Sequence, residues 1–223
     1  DTRSHRGPHP EDRRFCAYGD IPALRAATDD LCWLLDRGYA QPSSLKLVGD
    51  RYSLVSRQRL AVARCACSGE ARRRRQAGRV EPREVRDREL WIDGYNVLTT
   101  VEAALSGGVI LRARDGCVRD MASMHGSYRK VAERIPATRL IAGVTGVWGV
   151  SVCRWLLDRP VSNSGRLKTM LEDLAKEQGS RWDVDLVQNP DAALSEGDAV
   201  VASADSIVLD RCRTWVILAA AVT

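Results

Sequence analysis

The chain has 223 residues, of which 44% are hydrophobic and 28% charged, a balance typical of folded globular proteins. This composition excludes a disordered chain, a collagen-like repeat and a bare coiled coil, and no apolar run approaches the ~20 residues of a membrane span. The net charge of +5 is uneven, since residues 1–89 hold 19 basic against 13 acidic residues. Nine arginines and one acid lie between Arg51 and Arg79, a pattern that fits either a polyanion partner or a solvated basic surface.

The first third of the chain predicts a small all-helical domain over 1–68, with a polar arm over 1–14. Asp20, followed closely by a proline, is a typical helix start, and apolar residues then recur at helical spacing until Gly38. Two shorter helices are predicted after it, the second beginning at Ser56. Short helices in this order resemble a helix-turn-helix, although a plain helical packing domain fits the pattern equally well.

Residues 69–88 have no apolar period and contain four consecutive arginines, so we predict a basic linker there. Beyond it, short apolar strands alternate with helical patterns, beginning with a strand over 89–93. This alternation predicts an α/β domain over 89–223 with a mainly parallel sheet covered on both faces. Within it we predict one helix over 118–135 and a final strand over 215–219.

An aspartate follows each of four predicted strands: Asp93, Asp158, Asp191 and Asp205. Because the carboxyl ends of parallel strands meet at one edge, where α/β proteins bind ligands, we expect these carboxylates to converge. Converging carboxylates repel one another, and a proton or a bound cation relieves the repulsion. Oxygen ligands at a partly solvated edge suit Mg²⁺ or Mn²⁺, which can activate water against a phosphodiester. A single aspartate in this position is usually a turn or helix cap, so the prediction depends on the four together.

Polar and basic residues beside two of these strand ends are the predicted substrate contacts. They are Asn96, Ser162, Asn163, Ser164, Arg166 and Lys168. The three residues from 162 to 164 precede a helix whose free N–H groups can hold a phosphate, although ordinary helix capping explains them as well. The two basic residues lie in the first turn of that helix, where they can meet a nucleic-acid backbone.

Seven cysteines, an odd number, and the lack of a visible secretion leader predict buried, reduced thiols in a cytoplasmic protein. Cys65 and Cys67 have the spacing that begins some zinc sites. No second close pair of Cys or His follows, so a structural role is favoured for both.

Two resemblances to known families rest on short stretches of sequence. Residues 90–98, Leu-Trp-Ile-Asp-Gly-Tyr-Asn-Val-Leu, resemble the opening strand of the NYN and PIN-like nuclease superfamily, and 200–210 resemble its late strand and the acid after it. The stretches 5–9, 45–52 and 160–167 resemble an uncharacterised prokaryotic family, domain of unknown function 434, over nearly the whole chain. That family implies no function. The nuclease resemblance implies a three-layer α/β/α, Rossmann-like fold with acids around Mg²⁺ or Mn²⁺.

By position, the nuclease resemblance makes Asp93 the first acid and Asp205 the late acid of the site. The candidates for its middle acids are Asp158, Asp191 and Asp198, and those for an acid on the middle helix are Asp120 and Glu133. We predict Asp93, Asp158 and Asp205 as catalytic residues, with Asp93, Asp205 and Asp191 as the metal ligands.

These observations predict a metal-dependent hydrolase of phosphodiester bonds, with RNA favoured over DNA. A non-catalytic nucleic-acid-binding protein with a degenerate PIN-like fold remains open, and so does an enzyme that acts on small phosphorylated molecules. The binding protein would hold nucleic acid in a salt-sensitive way without metal-dependent cleavage. The small-molecule enzyme would have a small pocket above the sheet and little affinity for RNA.

Overall fold

The computed structural model describes residue 5 and residues 7–12, 17–122 and 131–222. Its first helices are α1 (Ile21–Leu35), α2 (Gln41–Arg51), α3 (Ser56–Cys65) and α4 (Gly69–Gly78), with 3-10 turns at Tyr18–Asp20 and Pro82–Val85. The helices α1 to α3 enclose a small apolar core formed by Ala27, Leu31, Val48, Leu54 and Val62. The three predicted helices are therefore confirmed. The second helix continues past Gly49, where a glycine stop was expected, and ends at Arg51. The absence of a side chain at Gly49 leaves space for the guanidinium group of Arg59.

Helix α4 occupies residues predicted as a linker, so that prediction is wrong for 69–78. The hydroxyl of Ser68 caps this helix by accepting a hydrogen bond from the backbone N–H of Ala71 at 3.1 Å. The buried residue of α4 is Arg75, which is bound by carboxylates from later in the chain. Apolar periodicity cannot detect a helix that packs through a buried arginine.

The remaining chain forms seven strands and six helices in its described part. The strands are β1 (Glu89–Asp93), β2 (Ile110–Arg112), β3 (Val118–Asp120), β4 (Val152–Asp158), β5 (Trp182–Val187), β6 (Val200–Ala202) and β7 (Trp215–Val216). The helices are α5 (Gly94–Leu105), α6 (Arg134–Trp148), α7 (Ser164–Gln178), α8 (Pro190–Glu196), α9 (Ser206–Leu209) and α10 (Leu218–Val222). Five strands form a parallel sheet in the order β5-β4-β1-β6-β7, so the predicted mainly parallel sheet is confirmed.

Successive side chains of each strand point to opposite faces of this sheet, and helices cover both faces. On one face Leu90 and Ile92 pack in the core with residues of α5, α6, α7 and α10. On the other face Leu156, Val201 and Trp215 pack with residues of α8 and α9. Across the described ranges, no helix is both long and apolar enough to cross a membrane.

Two predicted elements differ from the structure. Residues 118–120 form β3, which pairs antiparallel with β2, whereas one helix was predicted from 118 to 135. Gly116, at φ +88°, closes this hairpin, and counting helical spacing does not reveal such a turn. The middle of the predicted helix, 123–130, lies outside the described residues, and α6 begins only at Arg134. The predicted strand over 215–219 ends at Val216, after which α10 begins.

Candidate functional site

The four predicted aspartates lie at the carboxyl edge of the parallel sheet. Asp93 is the last residue of β1 and Asp158 the last of β4, and these strands are neighbours. Asp191 follows β5 in the first turn of α8. Asp205 follows β6 and caps α9 by accepting a hydrogen bond from the N–H of Ile207 at 2.7 Å. The sheet topology therefore brings these acids to a single edge.

Burial and neighbouring carboxylates raise the pKa of Asp93, Asp191 and Asp158. Burial and the nearby carboxylates of Asp205 and Asp191 raise the pKa of Asp93 to about 7, against the lowering effect of hydrogen bonds from Ser203 and Asn96. Burial and Asp205 also raise the pKa of Asp191. Burial and Asp191 raise the pKa of Asp158. The four carboxylates, named here the acid cluster, are thus linked by repulsion that a proton or a cation would relieve.

A cation of the Mg²⁺ or Mn²⁺ type fits the acid cluster in donor chemistry and charge. All its side-chain donors are carboxylate oxygens, the ligands that these hard ions prefer. In the described part of the chain, however, no group of three or more His, Cys, Asp or Glu is arranged as a ready metal site. The partly exposed members of the cluster would therefore have to close on the buried Asp93 to complete a set of ligands.

A serine that the sequence did not single out connects two members of the acid cluster. The Ser203 hydroxyl donates to Oδ2 of Asp93 at 2.7 Å and accepts from the backbone N–H of Asp205 at 3.0 Å. This residue follows β6, where Ala202 pairs with Ile92, so it lies directly across from Asp93. Only the strand register identifies it, since a serine after a strand is common in any loop.

Asn96 positions the chain around the acid cluster. Its Oδ1 accepts the backbone N–H of Ala204 at 2.9 Å, and its own backbone N–H faces Oδ1 of Asp93 at 3.4 Å. The predicted contact of Asn96 with a phosphate or water is therefore restricted to its amide N–H₂ group, because the carbonyl oxygen is already bound.

Three other acids considered from the sequence contact groups elsewhere. Asp120 accepts a hydrogen bond from the Thr100 hydroxyl of α5 at 2.8 Å. Glu133 lies 2.7 Å from Nδ1 of His5. Asp198 precedes β6, at the opposite end of that strand from the acid cluster, and pairs with Arg213 at 2.7 Å. The position of Asp198 removes it from the candidates for a middle acid.

The turn between β4 and α7 holds the predicted substrate contacts at 162–164 in different surroundings. Ser162 and Asn163 are exposed, and Asn163 adopts a left-handed conformation with φ +70° at the start of α7 without capping it. Ser164 is buried and donates its hydroxyl to the carbonyl of Arg159 at 3.2 Å, so its side chain supports the turn. Arg166 is exposed in the first turn of α7.

Lys168 lies along the edge strand of the sheet. Its ammonium group donates to the carbonyl of Val184 at 2.6 Å and lies 3.4 Å from Glu172. Val184 pairs with Trp155, three residues before Asp158 and therefore about 10 Å from the carboxyl edge. The structure thus places Lys168 away from the acid cluster, and its contact with substrate stays a prediction. A cation that the sequence did not suggest is Arg211, which is exposed and whose charge opposes the raised pKa of Asp191.

The six described cysteines are free thiols. Cys65 and Cys67 do not belong to any ready metal site among the described residues. Burial raises the pKa of Cys67 to about 11, so its thiol stays protonated at neutral pH.

Comparison with known proteins divides the chain between two family models of unknown function. Residues 23–77 match the model described as "Protein of unknown function (DUF434)". Residues 82–221 match the one described as "Domain of unknown function (DUF5616)". The resemblance to family 434 is thus found in the helical part alone, whereas the sequence suggested it along nearly the whole chain.

A relative with a similar extent occurs in an archaeon. The chain is 26% identical over 187 residues to an uncharacterized protein of Methanocaldococcus jannaschii, covering 84% of this chain and 89% of the relative. No solved structure matches the chain significantly. Because the model of unknown function 5616 covers more than half of the 223 residues, the protein belongs to that uncharacterised family.

Proposed function

We propose that the acid cluster is the active site of a metal-dependent nuclease that hydrolyses phosphodiester bonds, with RNA favoured over DNA. The observation that carries the proposal is the placement of Asp93, Asp158 and Asp191 at the carboxyl edge of one parallel sheet, where burial and a neighbouring carboxylate raise the pKa of each. Such a concentration of carboxylate charge is costly for folding, and it is common where a protein holds a cation or performs acid–base chemistry.

The fold supports the interpretation that this site belongs to a PIN-like nuclease domain. The sheet is parallel, helices cover both faces, and the Asp-Gly-Tyr-Asn stretch begins at the end of the central strand β1. Asp93 and Asp205 then hold the places of the first and late acids of that superfamily. On this reading the domain is a three-layer α/β/α structure, and RNA is favoured because many PIN-like proteins cleave it.

The residues at this edge of the sheet would have three roles: binding the cation, transferring a proton and orienting the phosphate. Asp93, Asp191 and Asp205 would hold the cation, which when bound lowers the pKa of water and stabilises the leaving oxygen. Asp158, whose pKa is raised by burial and by Asp191, would hold or release a proton at the rim. The exposed Asn163 and Arg166 would orient the phosphate at the start of α7.

Fewer basic residues remain to hold a nucleic-acid strand than the sequence suggests. Arg57 forms a bidentate pair with Asp12 and donates to the Met121 carbonyl at 2.6 Å, and Arg59 binds Asp50. Both guanidinium groups are therefore already bound within the fold. Arg72 and Arg73 are exposed on α4. These two arginines would supply the sequence-independent phosphate contacts that give binding its salt dependence.

The test is cleavage of labelled single-stranded and structured RNA and DNA with Mn²⁺, with Mg²⁺ and with EDTA. Asp93→Asn removes the buried ligand, and Asp198→Asn is the matched control, because it changes an exposed aspartate at the other end of β6. We expect cleavage that needs metal, is lost in Asp93→Asn and persists in Asp198→Asn. Cleavage that is equal in both variants would contradict the proposal.

A non-catalytic nucleic-acid-binding protein is the second candidate. It is favoured by the exposed Arg72 and Arg73 of α4, which can contact a nucleic-acid backbone whether or not the acid cluster holds a cation. In that case the same panel gives binding that weakens with salt, no cleavage with either metal, and unchanged affinity in Asp93→Asn. The cytoplasmic location expected from the sequence stays a prediction under both candidates.

A further inference from the structure

The loop that carries Asp205 is held by side chains rather than by strand pairing. The Ala204 N–H donates to Asn96 at 2.9 Å, and the Asp205 N–H donates to Ser203 at 3.0 Å. The Ala204 carbonyl accepts from Nε of Arg119 at 2.8 Å. Two side chains thus bind its N–H groups, and a guanidinium group binds the carbonyl beside Asp205.

A second guanidinium group reaches Ser206, at the end of the same loop, from the helical module, which comprises α1 to α4. Arg75 of α4 is 4% exposed, and its Nη2 donates to the Ser206 carbonyl at 3.4 Å. The same side chain binds both oxygens of Asp210 at 2.8 and 2.9 Å, just after α9. Arg75 therefore connects the residues matched by one family model to a loop in the residues matched by the other.

The two arginines share a buried carboxylate, that of Asp115 in the turn of the β2–β3 hairpin. Asp115 is 1% exposed and accepts from Arg75 at 2.6 Å and from Arg119 at 3.0 and 2.6 Å. Burial alone would raise the pKa of Asp115, but the hydrogen bonds from Arg119 and Arg75 lower it. The carboxylate is therefore ionised and rigidly bound, as a buried charge must be to persist.

The backbone of Arg75 is fixed as well. Its carbonyl accepts the indole N–H of Trp215 at 2.7 Å, and Trp215 is fully buried in β7. Arg74, the preceding residue, binds Asp210 at 3.0 Å but has no contact with Asp115 or Ser206 among those described. Both arginines bind Asp210, but among the described contacts only Arg75 also reaches the loop. A comparison of variants at the two positions therefore isolates the contact with the loop.

We propose that Arg75 and Arg119 are positioning residues that hold the loop Ala204–Ser206, and through it Asp205, against the repulsion of the acid cluster. The helical module would then complete the site rather than serve only as a separate binding unit. The effect on catalysis rests on the proposed nuclease function, whereas the effect on the loop does not.

The test compares Arg75→Gln and Arg75→Lys with Arg74→Gln in the full chain. Arg75→Lys keeps a cation beside Asp115, so the variant retains charge compensation, but a single ammonium group cannot span Asp115, Asp210 and the Ser206 carbonyl. Asp210 keeps Arg74 as a partner in both Arg75 variants. Amide hydrogen exchange is followed residue by residue at 204–207, and cleavage kinetics are measured in parallel with Mn²⁺.

In both Arg75 variants we expect exchange at 204–207 to rise about tenfold, because the loop loses its guanidinium contact, while the core strands keep their protection. We also expect kcat to fall with KM unchanged, and Arg74→Gln to match the parent protein in both measurements. Unchanged exchange at 204–207 in both Arg75 variants would overturn the inference. Increased local exchange in a protein that cleaves nothing would support the positioning role and refute the nuclease proposal.

Discussion

Replacing the buried Asp93 with asparagine should stabilise the protein at alkaline pH. In the folded protein the pKa of Asp93 is raised to about 7 from an ordinary value of 3.8, mainly by burial and then by Asp205 and Asp191. The folded state therefore holds this proton more tightly than the unfolded state. As the pH rises from about 4 to 7, the unfolded chain loses the proton first, so the free energy of unfolding falls.

The expected change in the free energy of unfolding follows from the difference in the pKa of Asp93 between the folded and unfolded states. Each unit of pKa difference corresponds to about 1.4 kcal/mol, so ionised Asp93 costs about 4 kcal/mol of stability above pH 7. Asparagine has nearly the same shape and carries no charge. Relative to the parent, Asp93→Asn should gain little stability near pH 4 and about 4 kcal/mol at pH 8, with the gain developing between these values.

Urea unfolding in EDTA at several pH values from 4.5 to 8 measures this difference. Asp198→Asn serves as the control, since Asp198 is exposed and the difference there should be small at every pH. A destabilised Asp93→Asn protein at pH 8, or a difference from the parent that does not change with pH, would refute the argument that the carboxylate is buried and repelled.

Three further predictions follow from single contacts. Ser203→Ala removes a hydrogen bond that lowers the pKa of Asp93, so the pH at which the parent loses stability should move upward in urea titrations; a downward move would contradict it. Gly94→Ala would place a Cβ 2.4 Å from Cδ2 of Leu157, so thermal unfolding should show a loss of about 1–3 kcal/mol. Leu31→Ala leaves a cavity in the small helical core and should cost about 2–5 kcal/mol in chemical unfolding, a loss that an exposed site would not give.

The placement of the acids at one edge of the sheet was predictable because it depends on strand ends and parallel pairing, both of which leave local signals. The environment of each acid was not predictable in the same way. Asp198 and Asp205 flank the same short strand, yet Asp198 is exposed beside Arg213 and Asp205 belongs to the acid cluster. Which end of the strand each aspartate occupies decides this difference.

Two other outcomes show where local patterns stop being informative. Helix α4 packs through Arg75, whose partners are 40 and 135 residues away in the chain, so no window of sequence contains the reason for that helix. Lys168 lies four residues after the buried Ser164 and next to the buried Leu167, so helical spacing alone would have placed it beside the sheet. The prediction for Lys168 used its positive charge and did not consider which face of the helix it occupies.

The measurement that tests the central claim most directly is Mn²⁺ binding at pH 8, followed by the electron paramagnetic resonance signal of free Mn²⁺. The parent protein, Asp93→Asn and Asp198→Asn are titrated under the same conditions. We predict a site in the parent and in Asp198→Asn whose affinity is lost in Asp93→Asn, because the buried carboxylate is the ligand on which the acid cluster closes. Binding that is absent in the parent, or unaffected by Asp93→Asn, would contradict the account.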